Sequence, residues 1–124
     1  MDTCQAQSIE SARAASDDPA TPEKLAQARK IFEGLQHGTI DRSLFTDNAN
    51  FYFNQQALLD FASSLGPLGT PDEFVQLSQG LRGGMRLRVY TIKFPKTNLR
   101  AWTYEMPDGK LEQFQIAVQI SAQA

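Results

Sequence analysis

Apolar positions in the first half of the chain recur at helical spacing, and in the second half they alternate. Leu25, Ala28, Phe32 and Leu35 form one stripe, with Ile31 beside it. Thr21-Pro22-Glu23-Lys24 reads as its start, with Thr21 as N-cap and proline at the first helical position. His37-Gly38 reads as its stop, a cation-capable side chain in the last turn followed by glycine. Asp41 caps a short second helix carrying Leu44 and Phe45, which Asp47-Asn48-Ala49-Asn50 interrupts. Phe51-Tyr52-Phe53 is too brief to assign. Asn54 caps a third helix with Leu58, Phe61, Ala62 and Leu65 on one side, ended by Gly66-Pro67. From Asp72 onward the pattern predicts strands over Glu73–Gln79, Met85–Phe94, Leu99–Met106 and Leu111–Ile120. Their short connections favour antiparallel hairpins. Helices followed by a strand meander predict an α+β fold, with N-terminal helices packed on a curved antiparallel sheet of about four strands.

Turn chemistry predicts a register. Pro107-Asp108-Gly109 suits a three-residue hairpin with glycine in a left-handed position. That pairs Met106 with Lys110, Tyr104 with Glu112, Trp102 with Phe114 and Arg100 with Ile116. One face then carries Trp102, Tyr104, Phe114, Ile116, Val118 and Ile120. The other carries Ala101, Thr103, Glu105, Gln113, Gln115 and Gln119. A two-residue turn would instead set Trp102 beside Gln115. In the preceding strand, Met85, Leu87 and Val89 share one parity and Tyr90, Ile92 and Phe94 the other. Either a β-bulge lies near Val89-Tyr90, or the strand is buried on both faces with Arg86 and Arg88 at a rim.

Composition narrows the function classes. The chain has 124 residues, 41% of them hydrophobic, with one cysteine, one histidine and a formal net charge of −2. Residues 1–21 hold little but small and polar side chains and are expected to be a flexible or weakly ordered lead-in. Residues 22–124 are expected to form a single domain. Apolar content is too high for a disordered chain, and no apolar run approaches the ~18 residues of a membrane span. The acidic balance argues against a nucleic-acid partner. Cys4 and His37 leave neither a disulfide nor a zinc cluster, so no metal or cofactor is expected. No signal peptide is visible. A complete chain would imply the cytoplasm, and a processed or excised segment would imply export.

Several stretches look familiar: Ala49-Asn50-Phe51-Tyr52-Phe53, Ala57-Leu58-Leu59-Asp60-Phe61, Ser64-Leu65-Gly66-Pro67-Leu68-Gly69, Leu81-Arg82-Gly83-Gly84-Met85 and Met106 to Phe114. Over roughly residues 22–120 the chain resembles a small accessory domain found after bacterial serine hydrolases of the class C β-lactamase and penicillin-binding type. Helices leading into a curved meander also resemble the nuclear transport factor 2-like cone. The resemblance implies an accessory domain of that superfamily without established catalysis. The hydrolases' serine-lysine motif is absent, so their activity does not carry over, and fold likeness alone says little about function.

Candidate chemistry is sparse. Tyr52, Tyr90, Trp102 and Tyr104 are candidates to line a cavity for a small apolar ligand. Acid–base chemistry there would need a positioned carboxylate. Glu112, expected beside Tyr104, and Asp60 on the third helix are the weak catalytic candidates, giving a small isomerase- or cyclase-like enzyme as the alternative reading. Arg82-Gly83-Gly84-Met85-Arg86-Leu87-Arg88 invites an anionic ligand at Arg86 and Arg88. The plainer role is a hairpin turn whose arginines are solvated or paired with Glu105 and Glu112. The favoured reading is a non-catalytic ligand-binding or dimerisation module. The expected homodimer surface is the uncharged sheet face of Ala101, Thr103, Gln113, Gln115 and Gln119.

Overall fold

The computed structural model describes residues 21–118. The expected lead-in therefore lies outside the described residues except for Thr21, as do Cys4, Gln119 and Ile120. Helix α1 spans Thr21–Gln36 and buries Ala28, Ile31, Phe32 and Leu35, the stripe its spacing marks. A 3-10 turn at Arg42–Leu44 is capped by Asp41, whose carboxylate accepts from the Ser43 N–H and hydroxyl. Those two donors hold the Asp41 carboxyl below its ordinary value.

Asp47–Tyr52 then forms helix α2. The polar run was expected to interrupt helical structure; it begins a helix because Thr46 Oγ1 accepts from the Ala49 N–H as an N-cap. Helix α3, Gln55–Leu65, starts where Asn54 Oδ1 accepts from the Ala57 N–H. Gln36 Nε2 donates to the carbonyls of Leu65 and Gly69, so the ends of α1 and α3 are tied together.

Strands β1 (Glu73–Arg82), β2 (Met85–Lys93), β3 (Asn98–Glu105) and β4 (Leu111–Val118) form one antiparallel sheet in sequence order. The β1–β2 turn is two residues long, Gly83 and Gly84, with φ of +56° and +82°. Two consecutive positive φ values are the type I′ condition, and glycine meets it without steric cost. The glycine pair is thus a hairpin turn.

All three helices cover one face of the sheet. Phe32 of α1 packs edge-on against Phe74 of β1 at 5.9 Å and touches Phe94 at 6.2 Å. Phe53 links Phe45 and Phe61, at 5.2 and 6.1 Å. Tyr90, Ile92, Leu99, Ala101 and Phe114 form the sheet side of this core.

Two register expectations are corrected. β2 pairs with β3 without a break from Arg86 to Lys93, so Val89-Tyr90 holds no bulge. The irregularity lies opposite, on β1, where Leu77 is the extra residue between Gln76 and Ser78. β2 is instead apolar on both faces, with Arg88 buried rather than at a rim.

The Pro107-Asp108-Gly109 turn forms as expected, with Gly109 at φ +93° and Met106 bonded to Lys110. Beyond it, Glu112 is an extra residue, so Glu105 faces Leu111 but Tyr104 faces Gln113 and Trp102 faces Gln115. A one-residue slip exchanges the faces. Ala101, Thr103, Phe114 and Ile116 therefore face the helices, while Trp102, Tyr104, Gln113 and Gln115 face away from them.

Candidate functional site

Two open grooves flank β4. One, of about 580 Å³, lies between α3 and the ends of β3 and β4, lined by Phe61, Leu65, Leu68, Leu99, Ile116 and Val118, with Asp60 at its margin. The other, of about 540 Å³, lies between α2, α3 and the start of β4, and includes Tyr52, Phe53, Phe61, Glu112 and Phe114. Asp60 accepts from Gln56 Nε2 at 2.9 Å, one turn back on the same exposed helix face. Glu112 accepts from Thr46 Oγ1 at 2.9 Å and Asn48 Nδ2 at 3.3 Å. It pins α2 to the sheet edge.

The expected pairing of Glu112 with Tyr104 is not formed. The Glu112 bulge turns the carboxylate toward α2, while Tyr104 faces away from the helices. The two carboxylate candidates therefore stand in separate grooves, each answered by a neighbouring amide or hydroxyl.

The remaining candidates are also dispersed. Tyr52 is exposed on α2 beside Phe51. Trp102 and Tyr104 lie half-buried on the outer sheet face. Tyr90 is in the core, with its hydroxyl 3.4 Å from the Lys24 carbonyl. Burial pushes the Tyr90 phenol up to about 12, opposed in part by the charge of Arg88.

A raised phenol pKa favours the neutral form in the fold. Its stabilisation is intact below pH 10 and is lost as pH rises toward 12. A shift of that size corresponds to roughly 3 kcal/mol. In an ultraviolet titration the Tyr90 phenol should ionise only as the domain unfolds. Ionisation of Tyr90 near pH 10 in the folded domain would contradict this burial.

A cluster of charged side chains lies at the β1–β2 hairpin end, on the helix side of the sheet. Arg88 is 3% exposed and is paired with Glu105. Glu105 also meets Lys24 Nζ at 3.1 Å. Arg86 donates to Gln79 Oε1 at 3.2 Å. Leu81, Gly84, Arg86, Arg88, Glu105 and Met106 line a polar basin of about 320 Å³. Sequence reasoning marked the arginines but not Lys24. The usable signal was parity, since Arg88 shares a face with Tyr90, Ile92 and Phe94 and so needed a buried carboxylate.

The outer face is of a different kind. Met85, Leu87 and Val89 of β2, Trp102 and Tyr104 of β3, and Val75 of β1 stand on it by register. Glu73 and Lys93 pair at 3.4 Å at one end, and Arg82 stands at the other. Between those ends Arg100 is the one charge among the described residues.

Among the described residues no three His, Cys, Asp or Glu side chains converge on a possible metal position. No helix among them is long and apolar enough to cross a membrane.

No protein-family model matches the chain, and no curated protein matches it. Among solved structures it is similar to an NTF-2-like protein of unknown function from Burkholderia xenovorans LB400. The two are 15% identical, over 85% of this chain and 90% of the other, with a TM-score of 0.42.

Proposed function

We propose that this chain is a non-catalytic interaction module of the nuclear transport factor 2-like type, and that it forms a homodimer through the outer face of its sheet. The observation that carries this reading is the composition of that face. A solvated antiparallel face normally alternates to polar and charged side chains. Here its middle holds Leu87, Val89, Trp102 and Tyr104, with Arg100 the lone charge between the strand ends. Aromatic enrichment with charge depletion is the signature of an interface core.

The dimensions agree. Four strands about 4.8 Å apart and about 27 Å long present about 500 Å² in plan. Two copies together cover about 1,000 Å² in plan, the lower bound for a specific interface. The occupant is a second copy because the face is self-complementary. Its apolar centre is flanked by the acid–base pair Glu73–Lys93 at one end and glutamines 113 and 115 along one edge, groups that tolerate a twofold-related copy.

This surface differs from the one expected on sequence, in which Ala101 and Thr103 joined the glutamines. Those two residues are buried beneath the helices. Sedimentation across micromolar concentrations should give a species of about twice 13.8 kDa. A monomer at high micromolar concentration would count against the proposal. The accessory-domain likeness to the family found after serine hydrolases rests on the sequence motifs alone and stays part of this proposal.

A further inference from the structure

We propose that the groove between α2, α3 and the start of β4 is a binding site for a small organic ammonium, a primary amine carried on an apolar body. Three observations lead to this ligand class.

The first is a carboxylate without a cation. Glu112 is the one charged side chain among the groove's lining residues. Its Oε1 accepts from the Thr46 hydroxyl at 2.9 Å and its Oε2 from Asn48 Nδ2 at 3.3 Å, and both donors are neutral. An ionised carboxylate offers about four lone-pair sites, so about half of its accepting capacity is left over. The cations on the adjoining segments are engaged elsewhere. Arg42 donates to the carbonyls of Asn50 and Phe53, and Lys110 donates to the carbonyl of Ser43. Among the described residues no lysine or arginine pairs with Glu112. A negative charge on the wall of an apolar groove attracts a cation more strongly than the same charge in open water.

The second is the groove's shape and floor. Phe53 and Phe114 are buried beneath it, and Phe61 meets Phe53 at 6.1 Å. Ala49 and Ala57 leave space beside these rings. The volume of about 540 Å³ lies within the range of about 300–1,000 Å³ that small-molecule sites occupy. Tyr52 stands at the lip, 74% exposed. The face of an aromatic ring so placed can cover an ammonium.

The third is the strand edge. β4 is the last strand of the sheet. On its open side the described backbone joins another segment only at Leu111, whose carbonyl accepts from the Thr46 N–H. An open edge presents unpaired carbonyls. An ammonium has three donors, and the Glu112 oxygens with an edge carbonyl supply acceptors for all of them. A carboxylate or phosphate ligand would instead face the Glu112 charge, and a neutral ligand would leave that charge without a counterion. The groove lies on the helix side of the sheet, so the site stands whether or not the outer face pairs.

Titration of the 124-residue chain with 2-phenylethylamine, followed by amide chemical shifts, tests it. The control probe is 2-phenylethanol, which has the same body and no charge. Shifts of Ala49, Ala57 and Phe114 should saturate with the amine below about 10 mM, the reach of a ligand this small. The amine should bind at least about tenfold more tightly than the alcohol, the scale of one hydrogen bond to a charged group. Glu112→Gln should remove that advantage and leave alcohol binding unchanged, which shows that the groove is intact. Tyr52→Ala truncates an exposed side chain, so circular dichroism should not change, and it should weaken the amine about threefold. Equal binding of amine and alcohol, or an amine affinity unaltered by Glu112→Gln, would overturn the proposal. So would the absence of saturable shifts at the groove. Nα-acetyl-lysine amide binding tenfold more tightly than 2-phenylethylamine, about 1.4 kcal/mol, would overturn the small-molecule assignment in favour of a partner's lysine side chain.

Discussion

Trp102→Glu should convert the proposed dimer to a monomer. Trp102 lies on β3, an inner strand, between Val89 of β2 and Gln115 of β4, so it stands near the middle of the outer face. Buried aromatics at the centre of an interface each commonly carry 2 kcal/mol or more, about 30-fold in affinity. Glutamate loses that contact and also places two carboxylates against each other across a twofold axis, so the expected weakening exceeds that figure. Sedimentation at matched concentrations reads it directly. Phe51→Glu is the control, because Phe51 is 79% exposed on α2, far from this face. It should leave the dimer intact. Trp102 is also the sole tryptophan, so emission from the parent chain should shift to longer wavelength on dilution as the indole becomes hydrated. If the glutamate variant sediments like the parent, the face is not the interface.

Which face carries Trp102 was the least legible feature of the sequence. The helices could be read because their stripes follow the 3.6-residue period and their caps are local, as at Asn54. The strands could be read because apolar residues alternate along β3 and β4 and because the β1–β2 and β3–β4 turns hold glycine. The register between β3 and β4 could not. The turn at Pro107-Asp108-Gly109 was correctly read, yet one residue later Glu112 drops out of pairing. The cause is long-range. Thr46 and Asn48, 66 and 64 positions away, hold the Glu112 carboxylate against α2. No window around residue 112 contains that information, and a slip of one residue moved Trp102 and Tyr104 from one face to the other.

A similar limit applied to α2. Asp47-Asn48 reads as a break by propensity, since both residues favour turns. The Thr46 cap and the burial of Ala49 override it. The charged basin was half legible. Arg86, Arg88 and a pairing with Glu105 stood out in the sequence, but the burial of Arg88 and the approach of Lys24 to the same carboxylate are set by tertiary placement. Glu105 approaches from β3 and Lys24 from α1, 17 and 64 positions from Arg88 respectively. The burial of the Arg88–Glu105 pair makes the cluster structurally demanding.

Glu105→Ala should be the most destabilising single change in the described residues outside the aromatic core. Arg88 is 3% exposed, and Glu105 is its carboxylate partner. Removing one member of a buried ion pair typically costs about 3–5 kcal/mol. For a domain near 100 residues each kcal/mol lowers Tm by about 4–8 °C, so a fall of at least about 12 °C is expected. Lys24→Met should cost much less. Its loss leaves the Glu105 carboxylate still paired with Arg88. The discriminating variant is Arg88→Met/Glu105→Leu, which removes both charges and keeps most of the volume. Buried pairs replaced in this way are often neutral, so it should recover most of the loss. Thermal unfolding followed by circular dichroism measures all three. A double variant as unstable as Glu105→Ala would mean that the pair is not the source of the effect, and that Glu105 acts through its packing against β2 and α1 instead.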